Sequence, residues 1–132
     1  MVLGLEIATH EVVPDDRATI EARLRHFCDD LGVALVLTTG GTGMSPDDVT
    51  PEATRAVLDR EAPGIAEAMR AASRPHTSHW MLSRGVAGTR GRTLIVNFPG
   101  SPRSITQCGE AIALSLPHAL ALLAGERPSH GG

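Results

Sequence analysis

The sequence is poor in aromatic side chains, and this shortage limits what the protein can bind. One tryptophan and two phenylalanines occur among 132 residues, and tyrosine is absent. A hydrophobic core built from this sequence must therefore be aliphatic. Proteins that bind single-stranded nucleic acids stack bases on aromatic rings, so the composition argues against that class. A formal net charge of −3 also provides no overall positive field that would attract DNA, RNA or an anionic membrane.

Cysteine and long apolar runs are scarce as well. Cys28 and Cys108 form no C-x-x-C pair, and each falls in a segment that we predict to be helical. A small buried hydrophobic residue is the simplest interpretation of each, with a disulfide or a metal ligand as the alternative. No apolar run reaches the roughly 20 residues that a membrane-spanning helix needs. The opening MVLGLEIATHEVV lacks the basic segment of a signal peptide, so we expect a cytoplasmic protein.

Three segments have the composition of β-strands. Residues 5–13 are rich in aliphatic side chains and end at Pro14. Residues 33–38 and 93–98 are apolar almost throughout, which is typical of strands that are covered on both faces. The connection between residues 74 and 92 has no clear pattern, and we predict it to be irregular.

Helical periodicity occupies most of the remaining chain. The first predicted helix starts at Asp15 or Asp16, ends at Gly32 and carries one apolar stripe, formed by Ile20, Leu24, Phe27, Cys28 and Leu31. The other predicted helices cover residues 50–60, 64–73 and 104–123. Pro117 lies inside the last of these and should kink or split it.

Strands that alternate with helices predict an α/β fold with three layers, α/β/α, and a mainly parallel sheet. Residues 1–124 should form a single domain, and residues 125–132 a disordered tail. In open α/β sheets the ligand site lies beyond the carboxyl ends of the strands. Three such ends are found at residues 13–16, 38–43 and 97–102, and they should meet on one rim.

The loop after the second strand, TTGGTG, is dense in glycine. Glycines let the backbone approach a ligand closely and point several N–H groups at one anion. The loop matches neither the G-x-x-x-x-G-K-[ST] phosphate loop nor the G-x-G-x-x-G dinucleotide fingerprint. A purely structural turn is the alternative explanation.

Short acids accompany this loop. Asp15, Asp47 and Asp48 follow predicted strand ends, where bare carboxylates would repel a phosphate unless a cation lay between them. Mg²⁺ binds one or two carboxylates together with phosphate oxygens, so the combination suggests a Mg²⁺–nucleotide site. The alternatives are that Asp15 or Asp16 caps a helix and that Asp47 is simply solvated.

Other polar residues offer weaker signals. Arg84 and Arg103, each close to a serine, suit contacts with phosphate, although Arg103 also fits an ordinary surface position. His76 and His79 have a spacing that a metal pair could use, but no third ligand is apparent. We therefore expect these histidines to lie on the rim of a substrate site or to have no ligand.

Several segments together resemble one protein family. They are VVPDD (12–16), TGGTG (39–43), PDDVTPEA (46–53), MLSR (81–84), GRTLIVN (91–97) and PGSP (99–102). In this order and spacing they resemble the molybdopterin adenylyltransferases, which include MogA/MoaB-like proteins and the G domain of gephyrin. The resemblance covers roughly residues 10–125.

The resemblance implies an activity and a set of site residues. Members transfer AMP from Mg-ATP to the terminal phosphate of molybdopterin and release pyrophosphate, with ATP as co-substrate and Mg²⁺ as the metal. The matching catalytic and metal-binding acids are Asp15 and Asp48. The matching substrate-binding residues are Thr39, Gly40, Gly41, Thr42, Gly43, Ser83, Arg84, Pro99, Gly100 and Ser101. The family also implies a homotrimer, with some members hexameric.

The chain departs from the family pattern at its start. The pattern begins earlier, with a strand and a helix that precede the segment equivalent to residues 5–13, so we expect an N-terminally truncated version of the fold. The absent strand is an inner one, and either its neighbours pair directly or another chain covers the free edge. Two other functions remain open: a catalytically weak molybdopterin-binding or carrier protein, and an unrelated phosphate-binding α/β module.

Overall fold

The computed structural model describes residues 4–126. In chain order the elements are α1 (Arg17–Arg25), a π-helical turn (His26–Asp30), β1 (Leu35–Thr39), α2 (Thr50–Val57), β2 (Arg60–Glu61), α3 (Pro63–Ser73), a 3-10 turn (Trp80–Leu82), β3 (Ala87–Arg90), β4 (Thr93–Phe98), α4 (Pro102–Ala113) and α5 (Leu116–Leu123).

The four described strands form one mixed sheet in the order β1-β4-β3-β2. β1 and β4 are parallel, with Leu35 opposite Leu94 and Thr39 opposite Phe98. The other two pairs are antiparallel. The α/β fold is confirmed, while parallel pairing is restricted to β1 and β4 among the described strands. β3 and β4 are joined by a tight turn in which Gly91 has φ +57°, and such a connection makes neighbouring strands antiparallel.

Helices cover both faces of the sheet, as the three-layer prediction requires. Every residue of β4 is buried, and its side chains alternate between two apolar cores. On one face Ile95 packs with Val36 and with side chains of α1 and α2: Ile20, Leu24, Ala53 and Val57. On the other face Leu94, Val96 and Phe98 pack against α3, α4 and α5, including Met69, Cys108, Ile112 and Leu116.

The predicted first strand is wrong. Residues 5–13 adopt neither strand nor helix. Ile7 is 87% exposed and Val12 is also exposed, and the segment pairs with none of the four described strands. A bidentate ion pair between Glu11 and Arg23 connects the segment to α1. β1 forms one edge of the sheet, since it pairs only with β4 among the described strands.

Two further boundaries were wrongly predicted. α2 ends at Val57 rather than near residue 60, and residues 60–61 form β2 on the sheet edge. The region expected to be irregular contains β3, whose residues Ala87–Arg90 pair with β4. β3 escaped prediction because AGTR has a single β-branched residue, Thr89, and no aromatic side chain, so its strand state depends on its neighbours.

The predicted split of the last helix is confirmed. α4 ends at Ala113 and α5 begins at Leu116, with Pro117 in the first turn of α5, where its missing N–H costs nothing. Gly125 and Glu126 hydrogen-bond back to α5, whereas residues 127–132 of the predicted tail lie outside the described residues. No helix between residues 4 and 126 is long and apolar enough to cross a membrane.

Candidate active site

Two of the three predicted loops meet at the end of the parallel strand pair. The amide of Gly40 donates to the carbonyl of Phe98 at 3.0 Å, which extends the β1–β4 ladder by one bond. A Cβ added to Gly100 would lie 3.3 Å from the Cα of Gly40, so the loops touch backbone to backbone. The glycine loop (residues 39–43) and the loop after β4 therefore form one continuous rim, as the strand directions predict.

Glycine is required at two positions of this loop. Gly40 and Gly41 have φ of +83° and +67°, a region that other residues rarely adopt. A Cβ at Gly41 would also overlap the hydroxyl of Thr50, whose amide donates to the carbonyl of Gly41 at 3.2 Å. The loop thus turns tightly from β1 towards α2. Its glycines therefore also have the structural role, a tight turn, that is the alternative explanation of the sequence.

The carboxylate of Asp48 lies against the glycine loop. A Cβ on Gly43 would be 2.8 Å from its Oδ2, and this oxygen accepts a hydrogen bond of 3.0 Å from the amide of Ser45. The amide of Asp48 donates to the carbonyl of Ser45 at 2.9 Å, which closes a tight turn. The neighbouring Asp47 is exposed, and its carboxylate has no hydrogen bond to a described residue, as the solvated interpretation predicts.

Asp15 and Asp16 have different environments. Asp16 caps α1, because its Oδ2 accepts from the amide of Thr19 at 2.9 Å and from its hydroxyl at 2.6 Å. These bonds hold the pKa of the Asp16 carboxyl below its usual value. Asp15 is exposed, and its carboxylate makes no hydrogen bond or ion pair within residues 4–126. The helix cap is therefore Asp16, and Asp15 is not joined to the Asp48 loop by any described contact.

Arg84 contacts protein groups. Its Nε donates to the carbonyl of Gly43 at 2.7 Å, and its Nη2 donates to the carbonyl of Asp48 at 2.7 Å. Its Nη1 donates to Oε2 of Glu52 at 2.6 Å. The guanidinium holds the pKa of the Glu52 carboxyl below its usual value. No local signal in the sequence links Glu52 to Arg84, because 32 residues separate them.

A cleft of about 480 Å³ opens beside the rim, between α3, the 3-10 turn and the start of α4. No acidic residue among residues 4–126 lines it. Its basic side chains are Arg70, His76, His79 and Arg103. Ser83, Pro99 and Ser101 also line it, so three of the predicted substrate-binding residues face this space.

Several features of the cleft suit an anionic ligand with an aromatic ring. Ser101 caps α4 by accepting from the amide of Ser104 at 3.2 Å, so the positive end of a helix dipole lies at the cleft. Trp80 lines the wall and has the guanidinium of Arg74 5.6 Å from its ring centre. At the base, burial raises the pKa of the Cys108 thiol, which supports a packing role rather than a reactive one.

Sequence reasoning missed the polar residue at the centre of the site. Asn97 is 2% exposed, yet both polar atoms of its side chain are hydrogen-bonded. Its Oδ1 accepts from the amide of Val86 at 3.1 Å, and its Nδ2 donates to the hydroxyls of Thr38 and Thr54 at 3.0 Å each. An asparagine within an otherwise apolar strand was the available signal, since a buried amide must be paired.

The described residues offer limited support for a metal. No group of three or more His, Cys, Asp or Glu side chains among residues 4–126 is arranged to hold an ion. Asp48 has one oxygen that accepts from Ser45 and another that has no hydrogen bond to a described residue. Mg²⁺ commonly binds one carboxylate together with phosphate oxygens and water, so Asp48 suits an ion that arrives with a nucleotide rather than a resident one.

Comparison with known proteins gives a consistent result. Residues 2–118 match the family model described as "Probable molybdopterin binding domain". The chain is 53% identical to MoaB, a molybdopterin biosynthesis enzyme from Thermus thermophilus, with a TM-score of 0.86 over 92% of this chain and 76% of that one. The Mog protein of Mycobacterium ulcerans is 44% identical, with a TM-score of 0.80 over 85% and 72% of the two chains.

Curated relatives carry a specific name. The molybdopterin adenylyltransferase of Helicobacter pylori J99 is 43% identical over 88% of this chain and 66% of its own length. The Escherichia coli K12 enzyme of the same name is 46% identical over 76% and 52%. The chain thus spans about half to two thirds of these relatives. The family model and the structural and sequence matches together show that this chain belongs to the molybdopterin-binding domain family of molybdenum cofactor biosynthesis.

Proposed function

We propose that this protein is a nucleotidyltransferase that moves AMP from Mg-ATP to the terminal phosphate of molybdopterin and releases pyrophosphate. The observation that carries the proposal is the basic cleft, which no acidic residue of the described part of the chain lines. It includes Pro99 and Ser101 of the loop after β4, and this loop touches the glycine loop at Gly40. The curated relatives named molybdopterin adenylyltransferase support the same reaction.

The chemistry needs binding and orientation more than acid–base catalysis. An oxygen of the terminal phosphate attacks the α-phosphorus of ATP, a new P–O bond forms, and the bond to the β-phosphate breaks as pyrophosphate leaves. The nucleophile is already ionised, so no side chain has to remove a proton. Mg²⁺ bound to ATP supplies neutralisation of the charge that builds on the phosphates.

The residues of the cleft bind the pterin, and the residues of the rim bind the nucleotide. Arg70, Arg103 and the start of α4 bind the phosphate-bearing pterin. Ser83 donates a hydrogen bond to it, and Ser101, whose hydroxyl donates to Oγ of Ser104 at 2.8 Å, contacts it at the start of the helix. The glycine loop, from Thr39 through Gly40, Gly41 and Thr42 to Gly43, approaches the nucleotide with its backbone, together with Pro99 and Gly100. Asp48 orients the metal-bound phosphates, and Asp15 is the second acid that the family pattern assigns to this step.

An assay with purified protein tests the reaction. Incubation with molybdopterin and Mg-ATP should release one pyrophosphate for each adenylylated molybdopterin, and omission of molybdopterin should abolish release. Arg103→Gln should raise the KM for molybdopterin about tenfold, which corresponds to about 1.4 kcal/mol. Arg92→Gln, at an exposed arginine outside the cleft, is the matched control and should leave this KM unchanged. Equal KM values for the two variants would contradict the assigned cleft.

A catalytically weak molybdopterin-binding or carrier protein is the second candidate. It is favoured by the position of Asp15, which makes no described contact with the Asp48 loop. Binding of molybdopterin without pyrophosphate release would support it. Failure to bind any pterin would instead support the unrelated phosphate-binding module.

The assembly and location follow the family. We propose a homotrimer, or a hexamer, in the cytoplasm, with neither nucleic acid nor membrane as a partner. Exposed apolar side chains support self-association: Leu114 is 82% exposed on the outer surface, and Leu37 is exposed on the edge strand β1.

A further inference from the structure

The glycine loop and α2 are held by a pair of residues that no sequence motif connects. The guanidinium of Arg84 makes four hydrogen bonds: one to the carbonyl of Gly43, one to the carbonyl of Asp48 and two to the carboxylate of Glu52. The amide of Arg84 also donates to the carbonyl of Thr42 at 2.8 Å. Arg84 therefore contacts both ends of the segment that begins with the glycine loop and ends with Asp48.

We propose that Arg84 and Glu52 are positioning residues that hold the glycine loop and the Asp48 carboxylate in the geometry for adenylyl transfer. Arg84 acts through the loop and not as a phosphate ligand. The catalytic consequence of this inference rests on the proposed function. The clamp, by which we mean the contacts of Arg84 with Gly43, Asp48 and Glu52, is a statement about this chain alone.

The geometry argues against direct substrate binding by Arg84. An arginine offers five N–H donors, and four of them are used in hydrogen bonds to described residues, which leaves one N–H on Nη1. Both backbone carbonyls are contacted at 2.7 Å, and the carboxylate is contacted in the bidentate manner that arginine favours. Release of the guanidinium towards a phosphate would leave Glu52, whose pKa the arginine lowers, without its partner.

Only an arginine at position 84 can make all of these contacts. A lysine keeps the charge, but it lacks the planar fork that reaches two carbonyls and a carboxylate together. An exchange of the two side chains would restore opposite charges, yet a carboxylate at position 84 could not donate to the carbonyls of Gly43 and Asp48. A clamp therefore predicts that the double variant Glu52→Arg/Arg84→Glu stays defective, whereas a simple ion pair predicts rescue.

The chain provides a matched control on the same helix. Arg55 donates to Glu61 at 3.0 Å, so this pair has the same chemistry, but both side chains are exposed and neither touches the glycine loop. Arg55→Lys should therefore report what the same replacement does to an ordinary arginine–glutamate pair in this region.

The test compares Arg84→Lys, Glu52→Gln and Arg55→Lys with the unaltered protein by two readouts. The first is hydrogen exchange of the amides of Ser45, Asp48 and Thr50, which are bonded within the clamped segment, with the amide of Asn97 in β4 as an internal reference. The second is the Mg²⁺ concentration that half-saturates pyrophosphate release. Arg84→Lys and Glu52→Gln should each raise exchange of the three loop amides at least about tenfold and raise half-saturating Mg²⁺ to a similar degree, as outer partners of metal ligands typically do.

Each other outcome is decisive. If Glu52→Gln leaves exchange and Mg²⁺ dependence unchanged while Arg84→Lys abolishes turnover, then Arg84 acts on the substrate directly and the clamp is overturned. An equal rise at Asn97 would show a global loss of stability and would also overturn it. If the unaltered protein releases no pyrophosphate, the proposed function fails, and hydrogen exchange alone still decides whether the clamp exists.

Discussion

Asn97 donates from its Nδ2 to the hydroxyl of Thr54 at 3.0 Å, and this bond joins the central strand β4 to the helix that follows the glycine loop. Asn97→Ala would leave the amide of Val86 and the hydroxyls of Thr38 and Thr54 without this partner. The Val86 amide and the Thr54 hydroxyl are buried, whereas Thr38 is partly exposed and can bond water. Each unpaired buried group costs about 1–3 kcal/mol, so we expect the free energy of unfolding to fall by at least about 2 kcal/mol.

Denaturant unfolding checks this expectation. Thr54→Val removes a single hydroxyl at similar volume and should cost distinctly less than Asn97→Ala. A larger loss for Thr54→Val than for Asn97→Ala would contradict the assignment of Asn97 as the centre of the network.

Replacement of Asp48 separates chemistry from stability. Asp48→Asn should retain the fold and lose most adenylyl transfer, because an amide cannot replace a carboxylate as a metal partner. Loss of a preorganised charge-stabilising group of this kind costs roughly 3 kcal/mol in the barrier, about two orders of magnitude in rate. Pyrophosphate release at saturating substrates is the measurement. Asp47→Asn changes the adjacent exposed acid and should leave the rate unaltered, so equal losses would refute a specific role for Asp48.

Asp15 and Asp16 should differ in what they contribute. Asp16→Ala removes the cap of α1 and should lower the free energy of unfolding by about 1 kcal/mol. Asp15→Ala should leave stability almost unchanged, because its carboxylate has no described partner. If Asp15 is the second catalytic acid, Asp15→Asn slows pyrophosphate release without a change in melting temperature. Normal turnover in Asp15→Asn would remove Asp15 from the site.

Acid should weaken the Glu52–Arg84 contact. The folded protein holds the pKa of Glu52 below its ordinary value of 4.5, chiefly through the hydrogen bond from Arg84. The contact therefore stabilises the fold above the unfolded pKa, and this contribution is lost as the pH falls through the folded pKa. Melting temperatures recorded from pH 6 downwards should decline less steeply for Glu52→Gln than for the unaltered protein. Identical slopes would show that this carboxylate carries no pH-dependent stability.

Exposed leucines on the outer helices predict self-association. Leu114→Glu places a charge on an apolar surface and should shift the protein towards monomer in sedimentation velocity at micromolar concentration. Glu110→Gln, at an exposed position of α4, is the control and should leave the assembly unchanged. A stable monomer for the unaltered chain would count against an oligomer altogether.

Local composition determined much of this protein. Burial pattern, glycine and proline act within a few residues. They account for the apolar runs of β1 and β4, the end of the helical segment 17–30 shortly before Gly32 and the split before Pro117. The glycine loop was also evident, since glycine is the residue that adopts a positive φ without strain, as Gly40 and Gly41 do. The shared rim of two loops followed from strand direction.

Tertiary structure decided the rest. Residues 5–13 have strand composition, but a strand needs a neighbour for its hydrogen bonds, and this segment pairs with no described strand. β3 forms from an unpromising sequence because β4 and β2 provide that neighbour on either side. Arg84 fits a phosphate ligand by residue type, yet its hydrogen bonds go to Glu52 and two loop carbonyls, which only chain folding brings within reach. The groups that a long charged side chain contacts depend on distances in three dimensions. For residues far apart in the chain, the sequence alone does not give these distances.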